Sequence, residues 1–259
     1  MSNVGEFAGR MAIAIRSRKE IAKMRRSGVA LRGVLDALKE SIAPGMTTMD
    51  LEKIAEAKIA EAGAVAAFKG YHDYPCVLCT SVNSEVVHGI PSAKRVLQEG
   101  DVVSIDCGLI LDGYYSDSAL TLPVGKISKA AAALLEATER SLQAAIEVVK
   151  AGATLGDVGA AVQEVAESAG FSVVREFVGH GIGTQMHEEP QIPNYGHRGQ
   201  GIKLREGMVL AIEPMVNAGQ HKVRVLEDGW TAVTVDGSLS AHFEHTVAVG
   251  AEGAEVLTA

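Results

Sequence analysis

A chain of 259 residues with 47% hydrophobic and 22% charged side chains has an ordinary soluble profile and enough length to bury a large core. Its net charge of −8 argues against a surface built to hold nucleic acid. It carries no apolar run of the roughly 20 residues that a membrane span needs.

The opening MSNVGEFAGRMAIAI lacks a basic region followed by an apolar one, so residues 1–16 are expected to form a short, loosely ordered leader and the protein to be cytoplasmic. Residues 17–259 are expected to form a single catalytic domain. Ser17-Arg-Lys-Glu20 is a capping box, which predicts a helix running to about Ser41. Thr47, with Asp50 three residues on, caps a second helix over LEKIAEAKIAEAG, whose Gly63 is a natural stop. The next segment, VLCTSVN, reads as a strand entered from Cys76-Val-Leu-Cys79. A redox CxxC belongs at a helix start, where the dipole lowers a thiol pKa, so Cys76, Cys79 and Cys107 read as reduced structural thiols. DVVSIDCGLI and GYYSDSALTL follow as strands, and a helix is expected over roughly 128–150. Thr154 caps a fourth helix over VGAAVQEVAESAG, ending at Gly170. SVVREFV, MVLAIEP, KVRVLED, WTAVTVD and HFEHTVAVG complete the predicted strands. The class is α+β, with helices packed on a mainly antiparallel sheet.

Two halves of this pattern match. Leu97-Gln-Glu-Gly-Asp-Val-Val-Ser-Ile-Asp106 aligns with Leu204-Arg-Glu-Gly-Met-Val-Leu-Ala-Ile-Glu213, at an offset of 107 residues. The same offset aligns Gly45–Asp50 with Gly152–Asp157 and Ala62-Gly63 with Ala169-Gly170. A period this long implies one unit used twice around a pseudo-twofold axis, rather than a solenoid.

Asp106, Asp117, His180, Glu213 and Glu244 stand on glycine-marked, strand-like segments. Four carboxylates and a neutral imidazole suit two divalent cations, whose charge they balance. Such cations, about 3.5–4 Å apart, activate water for hydrolysis. Asp112-Gly113 is a two-residue hairpin turn, which sets Asp106 opposite Ala119 and Asp117 opposite Gly108. Asp106 and Asp117 are then diagonal neighbours on one face, with backbones roughly 7–8 Å apart. Two bare carboxylates there would repel if buried, which favours a bound cation over a pair of turn residues.

Together, GYHDYPCVLCTSVN, VVHGIP, IDCGLILDGYYSDSALT, GHGIGTQMHEEP, LAIEPM, DGWTAVT and AHFEHT resemble the bacterial type I methionine aminopeptidases, from about residue 17 onward. The resemblance implies the pita-bread fold of two pseudo-symmetric halves and removal of initiator methionine before a small second residue. It implies that Asp106, Asp117 and Glu244 hold one metal and that Asp117, His180, Glu213 and Glu244 hold the other. The ion could be Co²⁺, Mn²⁺, Fe²⁺ or Zn²⁺. Glu213 would take a proton from water, His187 would steady the oxyanion and His88 would meet the substrate or leaving nitrogen. Tyr71, Tyr74, Cys79, Phe177 and Trp230 would line the methionine pocket, where a thioether finds aromatic and sulfur contacts. Asn83, Glu85 and Ser240 match positions that bind Na⁺ or K⁺ in some relatives.

Two departures stand out. Met186 replaces a usual Phe, and His242 replaces a usual Gln, on Glu244's face if the strand runs through; there it could hydrogen-bond to the ligands. The expected partners are nascent polypeptide N-termini, met by a monomer, with no membrane and no specific nucleic acid. Arg16, Arg18, Lys19, Lys23, Arg25, Arg26 and Arg32 read first as a solvated helix face and second as a transient ribosome contact. Proline-specific pita-bread enzymes usually carry an extra N-terminal domain, and inactive homologues usually lose ligands; neither pattern fits this sequence.

Overall fold

The computed structural model describes residues 12–259. Up to residue 11 the expected leader lies outside the described residues. Its end does not hang free: Ile13 packs against a core cluster, and the Arg16 amide donates to the Gly207 carbonyl at 2.7 Å.

The chain forms α1 (Arg18–Ser41), α2 (Thr48–Glu61), β1 (Val65–Ala66), β2 (Leu78–Val82), β3 (Glu85–Val87), β4 (Val102–Leu111), β5 (Tyr114–Pro123), α3 (Lys129–Val148) and α4 (Leu155–Ser168). Then follow β6 (Ser172–Val173), β7 (Gly179–Gly181), β8 (Glu188–Ile192), β9 (Val209–Ile212), β10 (Met215–Asn217), β11 (Val223–Val225), β12 (Ala232–Thr234), β13 (Ser240–His242), β14 (His245–Val249) and β15 (Ala254–Val256). Each helix begins where its sequence supplies an oxygen for an orphan amide. Ser17, Thr47, Ser128 and Thr154 accept from the N–H three residues on, and the boxes at Ser17, Thr47 and Thr154 are closed in both directions. Helix α1 buries Leu31, Val34, Leu35 and Leu38, a helical spacing that faces one side. Each fully buried leucine contributes about 1.5–3 kcal/mol.

The repeat is visible residue for residue. Thr47 bridges Val96, and Thr154 bridges Lys203. Gly45 donates to the Leu97 carbonyl at 2.9 Å, and Gly152 to the Leu204 carbonyl at 3.0 Å. Gly63 and Gly170 both end their helices at positive φ, 66° and 85°. Each half has its own core. In one, α1 and α2 cover β1, β2, β4 and β5 through Leu35, Leu51, Ile105 and Leu109. In the other, α3 and α4 cover the order β15-β14-β9-β7-β8 through Leu142, Val162, Leu210 and Val247.

The strands are antiparallel throughout, and they divide into four hydrogen-bonded sheets rather than one. MVLAIEP forms a strand only over Val209–Ile212 and stops before Glu213-Pro214, with β10 starting beyond it, while HFEHTVAVG is interrupted at Phe243-Glu244. Proline lacks the ladder donor. Glu244 leaves its own strand to exchange hydrogen bonds with Ala119 of β5, at 2.9 and 3.4 Å. SVVREFV is a strand only over Ser172–Val173, after which the Val174 amide still donates to the Met215 carbonyl at 3.0 Å. No helix among the described residues is long and apolar enough to cross a membrane.

Candidate active site

The β4–β5 hairpin has the expected register, Asp106 opposite Ala119 and Gly108 opposite Asp117, so both acids face the same way. Thr246 fixes Asp117 from the other half: its Oγ1 accepts from the Asp117 amide at 3.0 Å and donates to the Asp117 carbonyl at 2.8 Å. Glu244 is held against β5 by the Ala119 bridge and by Ser118 Oγ, which donates to its carbonyl at 2.7 Å. Glu213 sits at the break between β9 and β10, where Asn194 Nδ2 donates to its carbonyl at 2.9 Å. His180 stands in β7 beside Ala211 of β9. Its Nδ1 lies 3.0 Å from the Gly181 carbonyl, which can only accept, so Nδ1 carries the proton and Nε2 is bare. Nε2 faces Glu213 Oε1 at 3.6 Å and Asp117 Oδ2 at 3.7 Å.

Ligand atoms of Asp117, His180 and Glu244 lie within 4.8 Å of one another, and all three residues are buried. Asp106 and Glu213 adjoin them, each coupled electrostatically to Asp117. Burial, then the neighbouring carboxylates, pushes Asp106, Glu213 and Glu244 well above the usual carboxylate range. Burial raises Asp117 to about 7. Asp106 Oδ1, Asp117 Oδ1 and Glu244 Oε1 are buried without a hydrogen-bond partner. Three acids with orphaned oxygens, Glu213 beside them and one bare imidazole make a donor set that divalent cations satisfy and protons alone do not. Burial holds His180 near 4, so it meets a cation as a neutral ligand.

The acids close one end of a cavity of about 250 Å³. Phe68, Tyr71, Tyr74, Cys79, Met186 and Trp230 wall its apolar side, and His72, His88 and His187 stand beside them. Tyr74 is pinned by its hydroxyl, which donates to the Leu78 and Gly89 carbonyls, and meets Trp230 edge-on with centroids 5.0 Å apart. Asp228 holds the Trp230 turn by accepting from the amides of Trp230 and Thr231. His88 has φ 61°, rare for a residue with a side chain. The next residue must be glycine, because a Cβ on Gly89 would lie 2.3 Å from the Thr80 carbonyl oxygen. Tyr71 Oη lies 2.7 Å from His187 Nδ1, and the His187 ring meets His180 edge-on at 4.3 Å. Burial, then His180, lowers His187 to about 4.

The predicted site residues are therefore mostly gathered, with exceptions. Phe177 is not on the cavity wall; it packs edge-on behind His88 at 5.4 Å. Asn83 and Ser240 meet through the Ser240 amide, which donates to the Asn83 carbonyl at 2.8 Å. Glu85 turns to the Val82 amide at 2.7 Å. Sequence reasoning missed Phe68 and His72, although GYHDYP stood in a quoted motif. The three cysteines are free and buried, and burial pushes Cys76 up to about 11, which suits inert thiols.

Residues 22–251 match the model of metallopeptidase family M24. The chain belongs to that family. It is 49% identical over 246 residues to a methionine aminopeptidase of Clostridium acetobutylicum, covering 95% of this chain and 98% of that one. It is 46% identical to methionine aminopeptidase 1 of Mycobacterium tuberculosis, covering 100% and 99%. The crystal structure of methionine aminopeptidase from Thermotoga maritima superposes with a TM-score of 0.94 at 48% identity, covering 95% of this chain and 99% of that one. Prolidase from Pyrococcus furiosus shares the fold at a TM-score of 0.73 and 24% identity, and this chain spans 65% of it. The fold of this M24 chain is thus the pita-bread fold, and its buried Asp/His/Glu cluster is able to bind metal.

Proposed function

We propose that this metallopeptidase removes the N-terminal methionine from nascent proteins and peptides by hydrolysis. The observation that carries the reading is a single cavity lined both by the carboxylate–imidazole cluster and by an apolar wall of Tyr71, Tyr74, Cys79, Met186 and Trp230. Asp106, Asp117 and Glu244 would hold one divalent cation, and Asp117, His180, Glu213 and Glu244 a second. Bound there, Co²⁺, Mn²⁺, Fe²⁺ or Zn²⁺ would lower the pKa of a water and offset the negative charge that develops during attack.

The protein's own groups do the rest. Glu213 takes the proton of the attacking water. His187, with Tyr71 donating to Nδ1, presents Nε2–H to the peptide carbonyl oxygen and strengthens its contact as charge grows there. His88, aimed by its unusual backbone, meets the departing amide nitrogen. Tyr71, Tyr74, Cys79 and Trp230 receive the methionine side chain. Phe177 supports His88 from behind. The resemblance to type I methionine aminopeptidases adds a preference for a small second residue. Na⁺ or K⁺ near Asn83, Glu85 and Ser240 is a further part of the proposal, supported by the Asn83–Ser240 contact.

The enzyme would act as a monomer in the cytoplasm, where nascent N-termini emerge. Arg25, Arg26 and Arg32 pair with Glu255, Asp112 and Asp36, so a ribosome contact would rest mainly on Arg18, Lys19 and Lys23. A Met-Ala-Ser peptide with added Co²⁺ or Mn²⁺ tests the reading. Release of methionine, lost in Glu213→Ala, supports it; binding without turnover, or cleavage only of Xaa-Pro peptides, overturns it.

A further inference from the structure

His180 and His242 bracket one carboxylate. His180 Nε2 lies 3.6 Å from Glu213 Oε1, and His242 Nε2 lies 3.8 Å from Glu213 Oε2. The same His242 nitrogen is 4.0 Å from Glu244 Oε2. These separations are too long for hydrogen bonds. They suit donors about 2.0–2.2 Å from a shared cation, which stand about 3–4 Å from each other.

The His242 ring is fully enclosed, 1% exposed, and neither of its nitrogens has a hydrogen-bond partner. A buried imidazole without a partner is rare and calls for a ligand or a bound ion. Its position is not a loose end. The His242 amide donates to Thr121 Oγ1 at 2.8 Å, and Thr121 Oγ1 donates back to the His242 carbonyl at 2.8 Å. Strand β13 places it directly opposite Met215, two residues beyond Glu213. The ring is thereby fixed against the carboxylates from two strands.

We propose that His242 is a further nitrogen donor of the cluster, facing a cation held by Glu213 and Glu244, and that it biases the site toward Co²⁺, Fe²⁺ and Zn²⁺ over Mn²⁺. The inference rests on the reading of the acids as cation ligands. An oxygen-rich site suits Mn²⁺, whereas each added imidazole favours the later ions. A glutamine at this position would offer an amide in place of the imidazole and supply no such bias.

Metal-free wild type and His242→Gln are dialysed against mixtures of Co²⁺ and Mn²⁺, and the visible spectrum of each Co²⁺-loaded protein is recorded. The variant should lose about tenfold of the Co²⁺-over-Mn²⁺ preference, with Mn²⁺ binding nearly unchanged and the Co²⁺ bands displaced. An unchanged ratio with unchanged bands overturns the inference while leaving the metal site intact. Failure of wild type to bind either ion overturns both. A second measurement needs no variant: in wild type with ¹⁵N-labelled histidine, Zn²⁺ should shift a His242 ring nitrogen as strongly as one of His180. A Zn²⁺ shift confined to His180 overturns the inference.

Discussion

Tyr71 and His187 share a hydrogen bond of 2.7 Å between the phenolic oxygen and ring Nδ1. The two residues are 116 positions apart and belong to different halves of the chain. Because His187 is neutral at ordinary pH, with its affinity for protons lowered by burial, one ring nitrogen carries the single proton. With Tyr71 as the donor to Nδ1, that proton sits on Nε2. Tyr71→Phe should lower kcat about tenfold, the rate equivalent of about one net hydrogen bond, and change KM little. Steady-state kinetics on a methionyl peptide decide it; an unchanged kcat rejects the tautomer argument.

Metal removal should destabilise the fold. At a hundredfold excess over Kd a bound ion contributes about 2.7 kcal/mol, or about 5–10 °C in Tm for a chain of this size. The pH dependence of the metal-free protein has a definite sign. Asp117 is raised from 3.8 to about 7 in the fold, so its protonated form stabilises below pH 4 and that stabilisation is lost as pH rises through 7. Thermal unfolding with and without chelator should therefore show a Tm gap that widens from pH 5 to pH 8. Asp117→Asn should abolish the gap.

The capping acids run the other way. Hydrogen bonds from Thr47, side chain first, lower Asp50 from 3.8 to about 2, and hydrogen bonds from Thr154 hold Asp157 below its usual range. Their contribution is complete above pH 4 and disappears as pH falls toward 2. The double variant Asp50→Asn, Asp157→Asn should melt lower than wild type at pH 6 and converge with it near pH 2, as followed by circular dichroism.

Arg16 and Glu188 form an ion pair whose side chains are 10% and 12% exposed. Glu188 also accepts from the amides of Thr184 and Gln185, at 2.8 and 3.1 Å, so the pair closes the loop that carries Met186 and His187. Arg16→Ala leaves a nearly buried carboxylate unpaired and should cost about 3 kcal/mol, with a raised KM. Arg16→Lys should recover part of both. Denaturant midpoints together with KM test this, and an unaltered KM separates the loop from the fold.

Much of this site was legible because its signals are local. The Asp112-Gly113 turn and the alternation of β4 and β5 placed Asp106 and Asp117 on one face. Capping boxes placed the helices, and the repeat paired Asp106 with Glu213. What escaped depended on contacts distant in sequence. HFEHTVAVG alternates like one strand, yet Glu244 leaves it to pair with Ala119, a partner in the other half that no local pattern announces. Arg16 reads as part of a solvated leader until Glu188, 172 residues away, is set beside it. Phe177 matched a pocket position by motif but packs behind His88, since β6 ends at Val173 and the chain from there follows His88 and Val174's cluster, not the cavity.

The Asp117–Thr246 and Ala119–Glu244 hydrogen bonds are also where the two halves are joined. The strands that carry the acidic cluster thus form part of the seam of the molecule. Any hinge motion of one half against the other would pull Asp117 away from Glu244 and dismantle the cluster. The exposed residues His72 and His187 mark the solvent side of the cavity, so substrate can reach the cluster while the halves stay shut. A cation shared by Asp117 of one half and Glu244 of the other would tie the two together as a rivet does.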